Sequence, residues 1–150
     1  MNKFYLALLS GTGAAIAIGI LAFSETVQTD LVLLMAPFGA SAVLVFGLPE
    51  SPLAQPKNVI LGHLLTAFIG VFFAEFIAVT PFTLAIASGL AVTAMLLTHT
   101  THPPAGANPL LIMLTGQSWG FLFTPVLLGA IILVVIGQII RKAHISLAMT

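Results

Sequence analysis

Few side chains in this sequence can do chemistry, and those few are unevenly placed. His99 and His102 stand three apart in Thr98-His99-Thr100-Thr101-His102-Pro103-Pro104. On a helix that spacing would put both imidazoles on one face, as a metal site requires. The chain has no cysteine, its acidic residues lie far off in sequence, and the two prolines bias the stretch away from helix. No metal and no cofactor are therefore expected. The other chemistry open to His102 is a neutral N–H donated to a small anion, set against simple capping of nearby backbone. An anion held beside it would favour proton uptake by the ring, a physical route to coupled proton movement. His99, His63 and Glu75 are the remaining candidates for a proton or gating role. His63 also reads as an interhelical hydrogen-bonding residue, and Glu75 lies close enough to its segment end to reach the interface. His144 lies in a polar tail and is given no role.

The elements that must position these residues are apolar. Hydrophobic residues make up 59% of the chain and charged ones 5%, against roughly 25% charged in ordinary soluble domains. Four acids and four bases cannot make a hydrated surface for such a chain. A membrane-embedded, single-domain protein of helices is expected, with the lipid bilayer as its surroundings. The net charge of zero gives no reason to expect a nucleic-acid partner.

Charge and turn signals cut the sequence into six segments: Phe4–Phe23, Leu31–Leu48, Val59–Val79, Phe82–Leu97, Thr98–Leu114 and Phe121–Ile140. A membrane helix needs about 20 apolar residues, which the first, third and sixth supply and the fourth nearly does. The second and fifth carry interior prolines, which break regular helix. Lys3 followed by an apolar run also resembles a signal peptide. Gly11, Ala15 and Gly19 have the spacing of close helix packing, so a retained helix is expected.

An internal repeat appears at a shift of 67 residues. Pro37-Phe38-Gly39-Ala40-Ser41 lies over Pro104-Ala105-Gly106-Ala107-Asn108, Gly62 over Gly129 and Gly70 over Gly137. The expected architecture is all-α, with two inverted repeats (about 4–79 and 82–142) of three segments each. Four of the six segments would be full helices, and each repeat would hold one proline-broken half-helix. Paired broken segments point to a transporter's site. Six crossings with a cytoplasmic N-terminus put Lys3, Lys57, Arg141 and Lys142 inside and Glu25 and Asp30 outside, as basic residues in short loops prefer. Four crossings, with re-entrant broken pieces, would put Lys57 outside.

The broken segments are long enough to cross. Pro104 to Thr115 gives roughly 18 Å of helix, and His99 to Pro103, extended, roughly 16 Å more, against a hydrocarbon core of about 30 Å. Pro37 and Pro104 suit the first turn of a helix. Inversion then brings both half-helix starts near the midplane, each with unpaired N–H groups and a partial positive charge. A small anion between Phe38, Gly39, Ala40 and Ser41 on one side and Ala105, Gly106, Ala107 and Asn108 on the other, with His102 beside it, is the binding site expected. The bland alternative is that such prolines only kink their helices.

At Thr101-His102-Pro103-Pro104-Ala105-Gly106-Ala107-Asn108-Pro109 the sequence resembles the HPP family of small integral membrane proteins. The likeness extends to Ala36-Pro37-Phe38-Gly39-Ala40-Ser41-Ala42, to the linker Pro49–Asn58 and to Gly62-His63. It implies membrane transport, with nitrite the substrate associated with plastid and cyanobacterial members. The family is usually described with four spanning helices, which half-spans at the two breaks would reconcile with six segments. Larger relatives carry soluble domains for which this chain has no room.

The reading is a small-anion transporter or channel, nitrite favoured, and a homo-oligomer is expected from the chain's small size and glycine-rich helices. A multi-pass protein of the bacterial inner (plasma) membrane with both termini cytoplasmic is expected. A noncatalytic scaffold subunit is the rival. An enzyme is not expected, because the apolar segments offer no acid, base or nucleophile set beyond the histidines and Glu75.

Overall fold

Proline decides where most of the helices start. The computed structural model describes residues 3–27 and 32–148, and these form six α-helices and no strand. The helices are α1 (Lys3–Val27), α2 (Ala36–Ala42), α3 (Pro56–Phe76), α4 (Pro81–Leu97), α5 (Asn108–Thr115) and α6 (Leu128–Ala148). In α2, α3, α4 and α5 a proline occupies the first or second position, where the missing N–H has no helical partner to lose. Thr80 adds a reciprocal cap at the start of α4, accepting from the Thr83 N–H while Thr83 accepts from its own.

Among the described residues three stretches are long and apolar enough to cross a membrane: Lys3–Ser24, Pro56–Phe76 and Trp119–Ala143. Ala36–Gly47 and Pro81–Leu97 are apolar but shorter; at 1.5 Å per residue α4 reaches about 26 Å, near the lower limit for a span.

The structure departs from the sequence expectation at several boundaries. α3 begins at Pro56 rather than Val59 and ends at Phe76, because the proline starts the helix within the linker. The sixth segment is not one helix from Phe121. A 3-10 turn (Trp119–Leu122) and a π turn (Phe123–Leu127) precede α6, with Thr124 extended and the Thr124–Pro125 bond cis; Pro125 cannot sit inside a regular helix. His99, expected to be extended, is left-handed at φ 54. It ends α4, with its N–H bonded to Leu96 O and that of Thr100 to Met95 O, a closure in which glycine usually takes that position. The expected starts of the second segment at Leu31 and the outer charge Asp30 fall outside the described residues, as does the side chain of His144.

The two broken segments are built alike. Leu33 to Met35 is non-helical, with Met35 extended, and leads into α2, which continues through a π turn, Val43–Gly47. Thr101 and His102 are extended and lead through a 3-10 turn, Pro103–Ala107, into α5. Met35 (φ −136) and His102 (φ −137) occupy matching positions. Phe38 N–H bonds to Met35 O at 3.0 Å and Ala105 N–H to His102 O at 2.9 Å.

Glycines set how closely these pieces pack. α3 packs on α5 and α4, and α1 on α6. A methyl group on Gly62 would come within 2.8 Å of Thr100 O and 3.0 Å of His102 Cβ, and one on Gly70 within 2.9 Å of Pro109 Cα. On α6, a methyl on Gly129 would overlap the Phe38 ring and meet Leu33 O at 3.1 Å, and one on Gly137 would overlap Val45. On α1 the close approach is at Gly13, against Ile140 and Phe46, and not at Gly11 or Gly19, which have nothing within 4 Å of an added methyl. The stripe that packs inward is Gly13, Ala17 and Leu21, one helical face set by the neighbouring α6.

Candidate functional site

Where the two broken segments meet α3, the described residues hold a buried polar cluster. Ser41, His63, Thr66, His102 and Asn108 are all 0% exposed, in a chain whose buried core is otherwise almost wholly apolar. Ser41 comes from α2, His63 and Thr66 from α3, His102 from the extended entry to the second break, and Asn108 from the first residue of α5. His63 lies about 11 Å along α3 and Thr66 about 15 Å, halfway down a helix of about 32 Å.

The cluster is one connected set of hydrogen bonds. Ser41 Oγ lies 2.8 Å from His63 Nε2 and 2.8 Å from His102 Nε2. His102 Nδ1 lies 2.8 Å from the Leu53 carbonyl oxygen. Asn108 Nδ2 is 3.0 Å from His63 Nδ1, 3.0 Å from His63 O and 3.0 Å from Thr66 Oγ1. Thr66 in turn donates to Gly62 O at 2.9 Å.

Donor and acceptor roles follow from what each atom can do. A carbonyl can only accept, so His102 Nδ1 carries hydrogen toward Leu53. With both rings neutral, His102 Nε2 is then an acceptor and takes the Ser41 hydroxyl hydrogen at 2.8 Å, the other acceptor in reach, Pro37 O, being farther at 3.2 Å. Ser41 Oγ is left to accept from His63 Nε2–H, and His63 Nδ1 to accept from the Asn108 amide. Two acceptors, His63 Nδ1 and His63 O, lie 3.0 Å from the same amide atom of Asn108, so that atom is the nitrogen and Oδ1 faces away. Four links therefore point one way, from Asn108 through His63, Ser41 and His102 to Leu53. Two features stand apart from this order. Asn108 Nδ2 has three acceptors for two hydrogens, so His63 O and Nδ1 share one. Asn108 Oδ1 is buried with no partner.

Ring packing holds the imidazoles in place. Phe38 meets His63 edge-on at 5.1 Å between centroids, and His63 meets His102 at 5.0 Å. Asn58 donates to Thr101 O at 3.0 Å, tying the start of α3 to the strand-like entry beside His102.

The remaining site candidates lie elsewhere. Ala105 is fully buried against α3. Gly39, Ala40 and Ala107 are exposed and Gly106 half-buried, and an added methyl on Gly39 or Gly106 meets nothing within 4 Å; these four face away from the polar cluster. His99 is exposed at its left-handed turn, and Glu75 is exposed near the end of α3. Among the described residues no three His, Cys, Asp or Glu side chains gather. Sequence reasoning missed Thr66, although its place three residues after His63 puts both on one helical face. It also missed the Leu53 carbonyl, since a backbone group leaves no mark in sequence.

The charged ends are paired. Arg141 donates to both carboxylate oxygens of Glu50, at 2.9 and 2.8 Å, so the linker after α2 and the end of α6 lie at the same end of the bundle. Beside α1 and α2, Ser10, Gly11, Ala15, Gly39 and Gly47 line an apolar groove of about 460 Å³.

The family model described as HPP, transmembrane region, matches residues 2–146. Two transmembrane proteins of Dictyostelium discoideum are similar. One is 35% identical over 143 residues, covering 90% of this chain and 50% of the relative. The other is 36% identical over 142 residues, covering 89% of this chain and 46% of the relative. The chain thus spans about half the length of the curated relatives it matches. No solved structure matches.

Proposed function

The chain belongs to the HPP family of transmembrane proteins, and from that footing we propose that it carries a small anion, nitrite in the first place, across the membrane. The observation that carries this reading is the buried cluster of Ser41, His63, His102 and Asn108 at the meeting of the two breaks. Polar groups inside a membrane are costly unless hydrogen-bonded, and ionisable ones found there mark sites or pathways. Ser41, Asn108 and the imidazoles supply neutral donors, which can hold one negative charge without a buried lysine or arginine. Because every member of the cluster is buried, transport requires Ser41 and Asn108 to exchange internal partners for the anion. Nitrite follows from the resemblance of the His102-Pro103-Pro104 block to the family.

An inverted repeat is part of the proposal. Its support is that equivalent residues 67 apart make equivalent contacts. Gly62 meets Thr100 and Ala105 while Gly129 meets Leu33 and Phe38; Gly70 meets Ile112 while Gly137 meets Val45. The first helix of each half packs on the third helix of the other, α1 on α6 and α4 on α3. Three segments per half would then invert the second copy, with six crossings and the linker and C-terminal basic residues on one cytoplasmic side. The Glu50–Arg141 pair supports that arrangement. The apolar groove beside Gly11 and Gly39 suits a second copy of the chain in the bilayer. Transport, rather than catalysis, is the activity proposed.

The test is nitrite entry into liposomes holding only the purified chain. Entry above protein-free liposomes, reduced in an Asn108→Leu variant that keeps its helical content, is the expected result. No entry from folded wild-type protein would refute nitrite transport.

A further inference from the structure

We infer that His63, Ser41 and His102 form a proton relay leading from the Asn108 amide to the Leu53 carbonyl. The inference deepens the transport reading by naming the proton as the ion that moves with the anion. It rests on geometry. The two imidazoles do not bond to each other; a single hydroxyl bridges them, at 2.8 Å to each Nε2. The outer nitrogen of each ring is engaged at opposite ends, one by Asn108 at 3.0 Å and the other by Leu53 O at 2.8 Å. Bonds that all point one way are the arrangement along which a proton hops.

The transfer balances as follows. A proton from hydronium or a weak acid adds to the bare Nδ1 of His63, making that ring cationic. His63 then gives its Nε2 hydrogen to Ser41 Oγ as Ser41 gives its own hydrogen to His102 Nε2. His63 is neutral again, now carrying hydrogen on Nδ1, and His102 is the cation. His102 releases its Nδ1 hydrogen to water at the linker and ends neutral with hydrogen on Nε2. Reset cannot run back along the same bonds, which would undo the transfer. Each ring instead loses one hydrogen and gains one by exchange with water admitted when the Ser41 bonds open, and the Ser41 hydroxyl rotates back.

Asn108 is built to respond to the first step. Its amide N–H faces His63 Nδ1, while its own Oδ1 is buried without a partner. Once Nδ1 carries hydrogen, that N–H faces another donor, and turning the amide through half a turn offers Oδ1 as the acceptor to it and to the Thr66 hydroxyl, with loss of the Nδ2 bond to His63 O. The unpaired oxygen thereby gains a bond in the protonated state.

No other titratable group competes along the path. Facing the two rings are Phe38 and Ser41 from α2, Thr66 from α3, Asn108 from α5 and the Leu53 carbonyl from the linker. Among the described residues no carboxylate, lysine or arginine is buried. Glu50 and Arg141 pair with each other, and Lys57, Glu75 and His99 are exposed.

Two measurements test the relay. In voltage-clamped liposomes holding the purified chain and an internal pH dye, nitrite entry and proton entry are recorded together and corrected for protein-free liposomes. A fixed ratio of protons to nitrite is expected in the wild type, lost in Ser41→Ala whatever nitrite entry it keeps, and restored in Ser41→Thr. Nitrite entry with no accompanying protons, or an unchanged ratio in Ser41→Ala, overturns the relay and leaves the transport reading standing. If wild-type protein admits no nitrite, the transport reading fails, and proton conductance under an imposed voltage decides the relay: present in wild type and lost in Ser41→Ala supports it, absent overturns it. If Ser41→Ala does not fold, ¹⁵N-imidazole spectra of the wild type decide. His63 is expected with hydrogen on Nε2 and His102 with hydrogen on Nδ1; the same tautomer on both rings overturns the relay.

Discussion

Replacing Gly62 by alanine separates packing from flexibility as the reason for a glycine inside a membrane helix. The added methyl would lie 2.8 Å from Thr100 O and 3.0 Å from His102 Cβ, with Ala105 Cβ at 3.8 Å. The nearest of these is backbone, held by its neighbours, and cannot rotate away as a side-chain tip would. Overpacking of this kind costs about 1–3 kcal/mol. Alanine's better helix propensity returns up to about 1 kcal/mol, so the middle of the range leaves a net loss of about 1 kcal/mol, a shift of roughly 5-fold in the folding equilibrium. Gly106→Ala is the control, because its methyl meets nothing within 4 Å; it should fold as well as wild type or better. Trp119 reports unfolding without an added label. It is the sole tryptophan, and its ring lies 5.7 Å from that of Phe68 and 6.4 Å from that of Phe76, so its fluorescence follows the C-terminal half of α3. Denaturant titration in mixed micelles then gives both stabilities. Equal midpoints for Gly62→Ala and Gly106→Ala would refute the argument that Gly62 is there for close approach.

Two further substitutions test neighbouring parts of the structure. Thr66→Val keeps the shape but removes the acceptor for Asn108 Nδ2 and the donor to Gly62 O; a loss of about 1 kcal/mol is expected, with a changed Asn108 side-chain amide signal by NMR, and an unmoved signal would count against the bond. Glu50→Gln weakens the exposed contact with Arg141 and should cost under about 1 kcal/mol, a difference that shrinks further as salt is added; a large, salt-independent loss would show that the pair acts as more than a surface contact.

How much of this is legible in sequence depends on the kind of information involved. The membrane class follows from composition. The helix starts at Pro56 and Pro81 follow from proline's covalent geometry, which is local. Pro125 carried the same signal for a break before α6, and the apolar run around it hid it. Ser41 and Asn108 were marked by their equivalent places in the 67-residue shift. What could not be read was rotation and register between helices. α1 is apolar around much of its circumference, so sequence could not decide whether Gly11, Ala15 and Gly19 or Gly13 and Ala17 face inward; α6 decides it. His63 reads in sequence as an interhelical hydrogen-bonding residue but without its partners, which are 22 and 45 residues distant. The left-handed turn at His99 has no glycine to announce it.

The placement of the glycine contacts also says where the cluster is weakest. Gly62 and Gly70 seat α3 against the second break, and α4 packs on the same helix. Gly129 and Gly137 seat α6 against the first break, and α1 packs there. Two blocks result: α3 with α4 and α5, and α6 with α1 and α2. The bonds from Asn108 to His63 and Thr66 lie within the first block, as does the close contact between Gly62 and His102. Ser41 alone among the cluster's side chains belongs to the second block. Moving one block against the other would therefore break the two Ser41 bonds to His63 and His102 and leave the Asn108 bonds intact. A serine freed in this way keeps its bond to Pro37 O, 3.2 Å away in its own helix, and its vacated positions are open to an anion or water entering between the blocks. One hydroxyl thus stands both where the blocks would part and where the two imidazoles are joined, so opening the site and interrupting the hydrogen-bonded chain are one event.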